Sequence, residues 1–92
     1  MSQLIQRYKI SQIMRNCKLK QTIGKTYDPK TNSHCFLGAL STEMRERGFI
    51  DLEQFTGKKI PKKFMGDIIG KNDIDGLSFA EIADYVEKEY SL

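Results

Sequence analysis

The sequence has no tryptophan, one histidine, two prolines and two cysteines among its 92 residues. A single imidazole, at His34, leaves the usual histidine-based catalytic and zinc-binding sites short of ligands and bases. The two cysteines, Cys17 and Cys35, are too few for the disulfide framework of a small secreted protein. We expect reduced thiols, and a single disulfide between these two residues remains the alternative.

Long apolar runs are also missing. No window approaches the roughly 18 consecutive apolar residues that a membrane-spanning helix needs. Residues 1–7 lack the charged start and apolar centre of a signal peptide. We therefore expect a cytoplasmic protein without a membrane partner. Its length and its apolar content of 39% suit one domain, covering residues 1–92, with one modest core.

The net charge of +3 conceals a segregation of charge along the chain. Residues 1–32 carry seven Lys and Arg against one acid, whereas residues 72–92 carry six acids against one lysine. Two interpretations stay open. The basic segments attract an anionic partner, or the basic and acidic segments face each other across the fold.

The longest run of apolar and small residues, 35–40, lies near the middle of the chain. We predict a helix over 34–47, with Ser33 as its N-cap and Gly48 as the left-handed residue that follows it. At 100° per residue its apolar side chains span roughly 200°, about twice the arc of a surface helix. We expect this helix at the centre of the fold, where Gly38 would let another backbone approach closely.

Three further helices and one helical turn follow from apolar periodicity and capping signals. Asp51 suits the cap of the single turn, and Pro61 suits the first position of a helix with one apolar stripe. Ser78 and Glu81 form a capping-box pattern at the start of the last helix. These elements are predicted over residues 3–16, 51–55, 61–70 and 79–90.

Residues 18–33 differ from the rest, because apolar and polar residues alternate there and Gly24 interrupts any helix. With the turn cluster at 28–32, the pattern predicts a short β-hairpin or an extended arm. The whole chain is thus predicted to be mainly α, a small single-domain bundle of four helices plus a one-turn helix. In this prediction the last two helices pack on the central one.

Two candidate metal sites fail on spacing. Residues 72–76 followed by Glu81 resemble half of an EF-hand loop, but Glu81 falls at loop position eleven instead of twelve and Lys71 occupies position one. Zinc bound by both cysteines and His34 would lack a fourth ligand and a standard ligand spacing. We expect no metal and no cofactor.

Nucleophilic catalysis is also disfavoured. His34 is adjacent to Cys35, and neighbours on a helix point about 100° apart, so the imidazole is badly placed as a base for the thiol. The sequence also indicates no carboxylate or amide that would orient the imidazole. We predict no catalytic residue and a protein that is not an enzyme.

Residues 75–83 are similar to the first helix of the helix-turn-helix in sigma-factor-like regulators. In that family a turn and a recognition helix follow, and the recognition helix reads the major groove. The sequence ends at Leu92 without a second helix, and the helix that is present carries four acids that repel phosphate. Sequence-specific DNA binding through this motif is not expected.

A cluster of four lysines, Lys58, Lys59, Lys62 and Lys63, flanks the predicted start of the 61–70 helix. Free N–H groups and the helix dipole already favour negative charge at such a position. The cluster is therefore our candidate contact with an anion or a partner. The alternative is a solvated loop whose lysines serve solubility.

The run Cys35-Phe36-Leu37-Gly38-Ala39-Leu40 and the pair Asn72-Asp73 together resemble a family of small uncharacterised prokaryotic and phage proteins. That family has a Cys-x-Leu-Gly-Ala-Leu helix and an Asn-Asp pair before a final amphipathic helix. The chain departs from it in having Thr22-Ile23 where a tryptophan is expected nearby. The resemblance implies no activity. It implies a structural role for Asn72 and Asp73 in hydrogen-bonding a helix end or the arm. For Cys35, Gly38 and Ala39 the wide apolar arc of the 34–47 helix predicts a structural role in the core.

The function that these observations favour is a non-enzymatic interaction or regulatory domain. Its partner would be a protein or an anionic surface, met by the basic N-terminal half and the lysine cluster. The alternative is a nucleic-acid-associated accessory protein that binds phosphate non-specifically through the same lysines. The sequence leaves the identity of the partner and the oligomeric state open.

Overall fold

The computed structural model describes residues 7–92, and within them the protein is a small, mainly α domain. The first four residues of the predicted 3–16 helix lie outside the described residues. Within residues 7–92, one helix is followed by three two-residue strands and then by four more helices. They are α1 (Ile10–Arg15), β1 (Lys20–Gln21), β2 (Tyr27–Asp28), β3 (Ser33–His34), α2 (Phe36–Glu46), α3 (Leu52–Thr56), α4 (Phe64–Asp73) and α5 (Phe79–Tyr90).

The predicted arm folds into a small mixed sheet in which β3 lies between β1 and β2. β2 and β3 form an antiparallel pair with Tyr27 opposite His34. β1 joins β3 in parallel, with Gln21 opposite the same histidine. The hairpin is thus only part of the arrangement. The parallel strand was not predicted, because its partner lies 13 residues further along the chain.

α2 begins later than predicted, and its N-cap is Cys35 instead of Ser33. The Cys35 thiol accepts a hydrogen bond from the backbone N–H of Gly38 at 3.4 Å. Ser33 cannot cap the helix because it is paired in β3, and its hydroxyl lies 2.5 Å from that of Thr31. The end of α2 matches the prediction, with Gly48 in the left-handed region (φ 86°).

The core is built around α2, whose Phe36, Ala39 and Leu40 are almost inaccessible to solvent. α1 and α4 pack against α2. The last helix is placed differently from the prediction, since α5 lies chiefly along α1. The core side chains, from every helix, are Ile10, Met14, Phe36, Ala39, Leu40, Met44, Phe55, Phe64, Ile68, Phe79, Ile82, Ala83, Val86 and Leu92.

α4 differs from the predicted 61–70 helix at both ends. Pro61 precedes the helix, and its carbonyl accepts from the N–H of Phe64 in a turn (3.0 Å). The helix then continues beyond Gly70 to Asp73. The apolar stripe is split as well: Phe64 and Ile68 are buried, whereas Met65 and Ile69 are each about half exposed (48% and 46%).

α5 starts with the predicted capping box. The Ser78 hydroxyl accepts from the N–H of Glu81 (3.2 Å), and the Glu81 carboxylate accepts from the N–H of Ser78 (2.9 Å). This pattern satisfies two of the free donors at the helix start. It accounts for Glu81 without a calcium ion.

Oppositely charged residues of α5 and the N-terminal region meet along the α1–α5 contact. Arg15 donates to Asp84 at 2.7 Å and also binds Glu87, while Lys9 lies 3.2 Å from Glu87. Hydrogen bonds from Arg15 and then Lys9 hold the pKa of Glu87 below its usual value. Part of the basic N-terminal charge is therefore neutralised within the fold.

Candidate functional site

The two cysteines lack the environment of a reactive thiol. Cys35 is buried at the start of α2, where it serves as the N-cap. Burial raises the pKa of the Cys17 thiol to about 11. A thiol with such a pKa is almost entirely protonated near neutral pH, so it is a poor nucleophile and a poor metal ligand.

Metal-ligating side chains are dispersed in the part of the chain that the structure describes. Within residues 7–92 no three His, Cys, Asp or Glu side chains come together in a group that could hold a metal ion. In the same range, every helix is too short or too polar to cross a membrane.

Asn72 connects the sheet to the helices. Its buried side-chain oxygen accepts from Gln21 Nε2 (2.8 Å) and from the N–H of Phe36 (3.1 Å). Its Nδ2 donates to the carbonyl of Thr22 (3.0 Å) and to Asp73 Oδ1 (2.8 Å), and the latter oxygen also accepts from the N–H of Gly24. Asn72 thus binds both the arm and the start of α2, and Asp73 binds the arm through Gly24, so both residues have structural roles.

A second polar cluster joins α4 to α5. Asp67 Oδ2 accepts hydrogen bonds from the hydroxyls of Tyr85 and Tyr90, each at 2.6 Å. These bonds lower the pKa of Asp67, and the bond to the carboxylate raises the pKa of Tyr85 to about 12. Sequence reasoning missed this cluster, because the three residues are spread over 23 positions and two helices.

A groove of about 330 Å³ is bordered by α2, α3 and the start of α4. Its walls are apolar except for Ser41. Ile50, just before α3, lies at the edge of this groove with 82% of its surface exposed. The lining residues are Leu37, Leu40, Ser41, Met44, Ile50, Leu52, Ile60 and Met65. We refer to this feature as the apolar groove.

The structure divides the predicted lysine cluster. The Lys58 ammonium donates to the carbonyl of Ser91 (2.9 Å), and that of Lys63 lies 5.9 Å from the ring centre of Tyr90. Lys59 and Lys62 are exposed, and neither makes an ion pair or hydrogen bond with another residue of the 7–92 range. Both lie close in sequence to Ile60, which lines the apolar groove.

A more polar cleft of about 370 Å³, between α1 and the end of α2, is less promising as a binding site. Several cationic side chains line it, but two of them already have acidic partners. Arg47 pairs with Glu43 at 2.8 Å, and Lys9 pairs with Glu87. The apolar groove, whose lining includes the exposed side chains of Ile50 and Met65 and which has two unpaired lysines close in sequence to Ile60, is therefore the candidate functional site.

No protein-family model, curated protein or solved structure matches the chain significantly. The resemblance to the prokaryotic and phage family consequently stays a prediction.

Proposed function

We propose that this protein is a non-enzymatic interaction domain that binds a partner protein in the apolar groove. The observation that carries the proposal is the exposure of Ile50 and Met65 in the lining of one apolar groove. A contiguous exposed apolar surface is typical of a site that is covered by another molecule. Isolated exposed apolar residues would carry no such argument.

The composition of the groove favours a protein partner over a small-molecule substrate. Small-molecule sites combine an apolar cavity with several convergent polar groups that orient the ligand. Here Ser41 supplies the one side-chain polar group of the lining. The lining contains no titratable side chain that could act as a general acid, base or nucleophile, which supports a non-enzymatic role.

The proposal can be tested by selecting peptides from a random display library on the immobilised protein. Selected peptides should lose binding to Ile50→Asp, because a carboxylate at the rim would have to be desolvated against apolar walls. Ile74→Asp is the matched control, since Ile74 is equally exposed (84%) and lies outside the groove lining. Peptides that bind wild type and Ile50→Asp equally would overturn the proposal.

A second candidate function is non-specific nucleic-acid binding, favoured by the unpaired lysines Lys59 and Lys62. Its signature would be an affinity for single-stranded DNA that falls steeply between low and moderate salt, because binding releases counterions. Replacing the four lysines of the cluster by glutamate should abolish that binding. Fluorescence anisotropy of a labelled oligonucleotide over a salt series measures both effects.

A further inference from the structure

We propose that the segment bound in the apolar groove is an amphipathic helix whose apolar stripe faces the groove and whose acidic residues face Lys59 and Lys62. This inference rests on the proposed function and adds the chemistry of the partner to it. It follows from the shape of the groove, from the charges beside it and from the exclusion of two other occupants.

The shape of the groove suits a helix. Successive turns of α2 line it through Leu37, Leu40 and Met44, of which Leu37 is half-buried and the other two are almost inaccessible to solvent. Seven residues of helix extend about 10 Å, or two turns. An amphipathic helix presents its i, i+3 or i+4, and i+7 side chains over this same length. An added β-strand would need an exposed sheet edge, and all the lining residues belong to helices or loops.

The charges near the groove favour an acidic helix. Residues 58–66 contain four lysines and no acid, and among them Lys59 and Lys62 remain unpaired within the described chain. α3 contributes opposite charge through Asp51 and Glu53. The Asp51 carboxylate already accepts from the N–H of Glu53 (2.7 Å) at the start of that helix, which offsets part of its charge. The balance beside the groove is positive, so acidic residues on the partner would be attracted.

A second copy of the chain is a poor occupant. A two-fold interface presents the same patch from both subunits, so two patches of the same net positive charge would face each other. The acidic residues of α5 offer little compensation, because α5 contributes no residue to the groove lining. We therefore infer a different chain as the partner.

Nucleic acid does not match the groove either. Single-stranded nucleic acids are bound by aromatic side chains on which bases stack, combined with a basic track for the phosphates. The groove lining contains no aromatic residue. A polyanion could use the lysines but would leave the apolar walls exposed.

The test uses three synthetic peptides of about 16 residues, a length that can form a helix on binding. The first has a leucine stripe at helical spacing and glutamates beside it. The second replaces the glutamates by lysines, and the third keeps the glutamates and replaces the leucines by alanines. Each is labelled and titrated with the full-length protein, with affinity followed by fluorescence anisotropy and helix formation by circular dichroism.

We expect the acidic leucine peptide to bind wild type most tightly, to become helical and to lose binding to Ile50→Asp. The Lys59→Glu/Lys62→Glu protein should bind it about five- to tenfold more weakly, the size expected for two exposed charge pairs. The same protein should bind the lysine peptide better than wild type does. The control Lys20→Glu/Lys88→Glu has the same net charge and should change either affinity by less than about twofold, since its substitutions lie outside the groove lining.

The outcomes separate this inference from the proposed function. If the acidic and basic leucine peptides bind equally well and both lose binding to Ile50→Asp, the partner is not selected for acidic residues. The proposed function, binding of a partner in the apolar groove, would then still stand. Library peptides that bind in the groove without becoming helical would contradict the inference that the bound segment is a helix, but not the proposed function. Binding that Ile50→Asp leaves unchanged would overturn both. Concentration-dependent dimerisation that Ile50→Asp abolishes, measured by sedimentation equilibrium, would replace the foreign helix by a second copy.

Discussion

The side-chain oxygen of Asn72, in the last turn of α4, accepts a hydrogen bond from the N–H of Phe36, the first residue of α2. The first N–H groups of a helix have no partner within the helix, so this bond satisfies one donor that would otherwise be buried and unpaired. The same amide holds the arm through Gln21 and Thr22. One side chain therefore fixes where α2 begins and where the sheet lies.

Replacing this amide should be among the most destabilising substitutions of a polar residue. Asn72→Ala leaves the Phe36 N–H and the Thr22 carbonyl without their partner in a buried setting, and we expect a loss of about 2–4 kcal/mol in the free energy of unfolding. Urea denaturation followed by circular dichroism measures the change. Asn16→Ala, at an exposed asparagine whose amide binds Gln12, should cost less than about 1 kcal/mol. Similar losses at both positions would contradict the role assigned to Asn72.

Gly38 should not tolerate a methyl group. A Cβ at this position would lie 3.0 Å from Thr26 Cγ2 and closer still to the Thr26 carbonyl oxygen, whose place is fixed by a bond from the N–H of Cys35. Although alanine favours helix over glycine, we expect Gly38→Ala to destabilise the protein by about 1–3 kcal/mol. Gly66→Ala is the control, because nothing lies within 4 Å of its Cβ and about 0.5–1 kcal/mol of stabilisation is expected. A neutral or stabilising Gly38→Ala would show that the arm does not rest on α2.

The Asp67 cluster should make stability depend on pH at both extremes. The pKa of Asp67 is lowered by its bonds from Tyr85 and Tyr90, so its contribution is present above the ordinary carboxyl value and is lost as the pH falls through the lowered pKa. The pKa of Tyr85 is raised to about 12 by Asp67, so that contribution declines above about pH 10 and is lost as the pH rises through 12.

Asp67→Asn removes the charge and keeps an oxygen acceptor for both hydroxyls. We expect its melting temperature to lie a few degrees below that of wild type at pH 7, with the gap closing toward pH 2. Thermal denaturation across this pH range provides the measurement. Asp75→Asn, which breaks the more exposed pair with Lys71, should produce a smaller and salt-sensitive change. A gap for Asp67→Asn that stays constant down to pH 2 would refute the assignment.

The thiols should react slowly in the folded protein. Cys35 is shielded in the core, and the pKa of Cys17 is raised to about 11 by burial. We expect a disulfide reagent such as Ellman's to modify both slowly at pH 7 and rapidly in urea. Cys17→Ser isolates the signal of Cys35. A fast phase in folded Cys17→Ser at neutral pH would reopen the possibility of a cysteine nucleophile.

The elements that the sequence predicted well are those determined by local contacts. The capping box at Ser78 and the single stripe of α5 involve residues at most a few positions apart, and both are present in the structure. The wide apolar arc of α2 correctly indicated a helix buried on most of its surface. The left-handed conformation of Gly48 was likewise predicted from the sequence at the end of a single helix.

The errors arose where distant residues decide the local structure. Ser33 has a good capping side chain, but strand pairing on both sides of β3 takes it out of the helix start. Gly70 would end many helices, yet α4 continues because Asn72 and Asp73 find partners some 50 residues earlier in the chain. Such partners leave no periodic signal in one sequence.

The sequence also did not predict the apolar groove. Met65 was assigned to a buried stripe, and whether such a stripe is covered depends on how far the neighbouring helices extend over it. Ile50, which belongs to no stripe, was the available hint of an exposed apolar surface. The lysine cluster was recognised, but its division into engaged and unpaired members depends on where the end of α5 lies.

The contact between α1 and α5 has a consequence for the order in which the chain can fold. Arg15 meets Asp84 across 69 positions, and the apolar residues Ile10 and Met14 are buried in the same core as those of α5. A ribosome therefore releases α1 long before the helix that lies along it exists. We expect the contacts between α1 and α5 to form late in folding, after α5 has been synthesised.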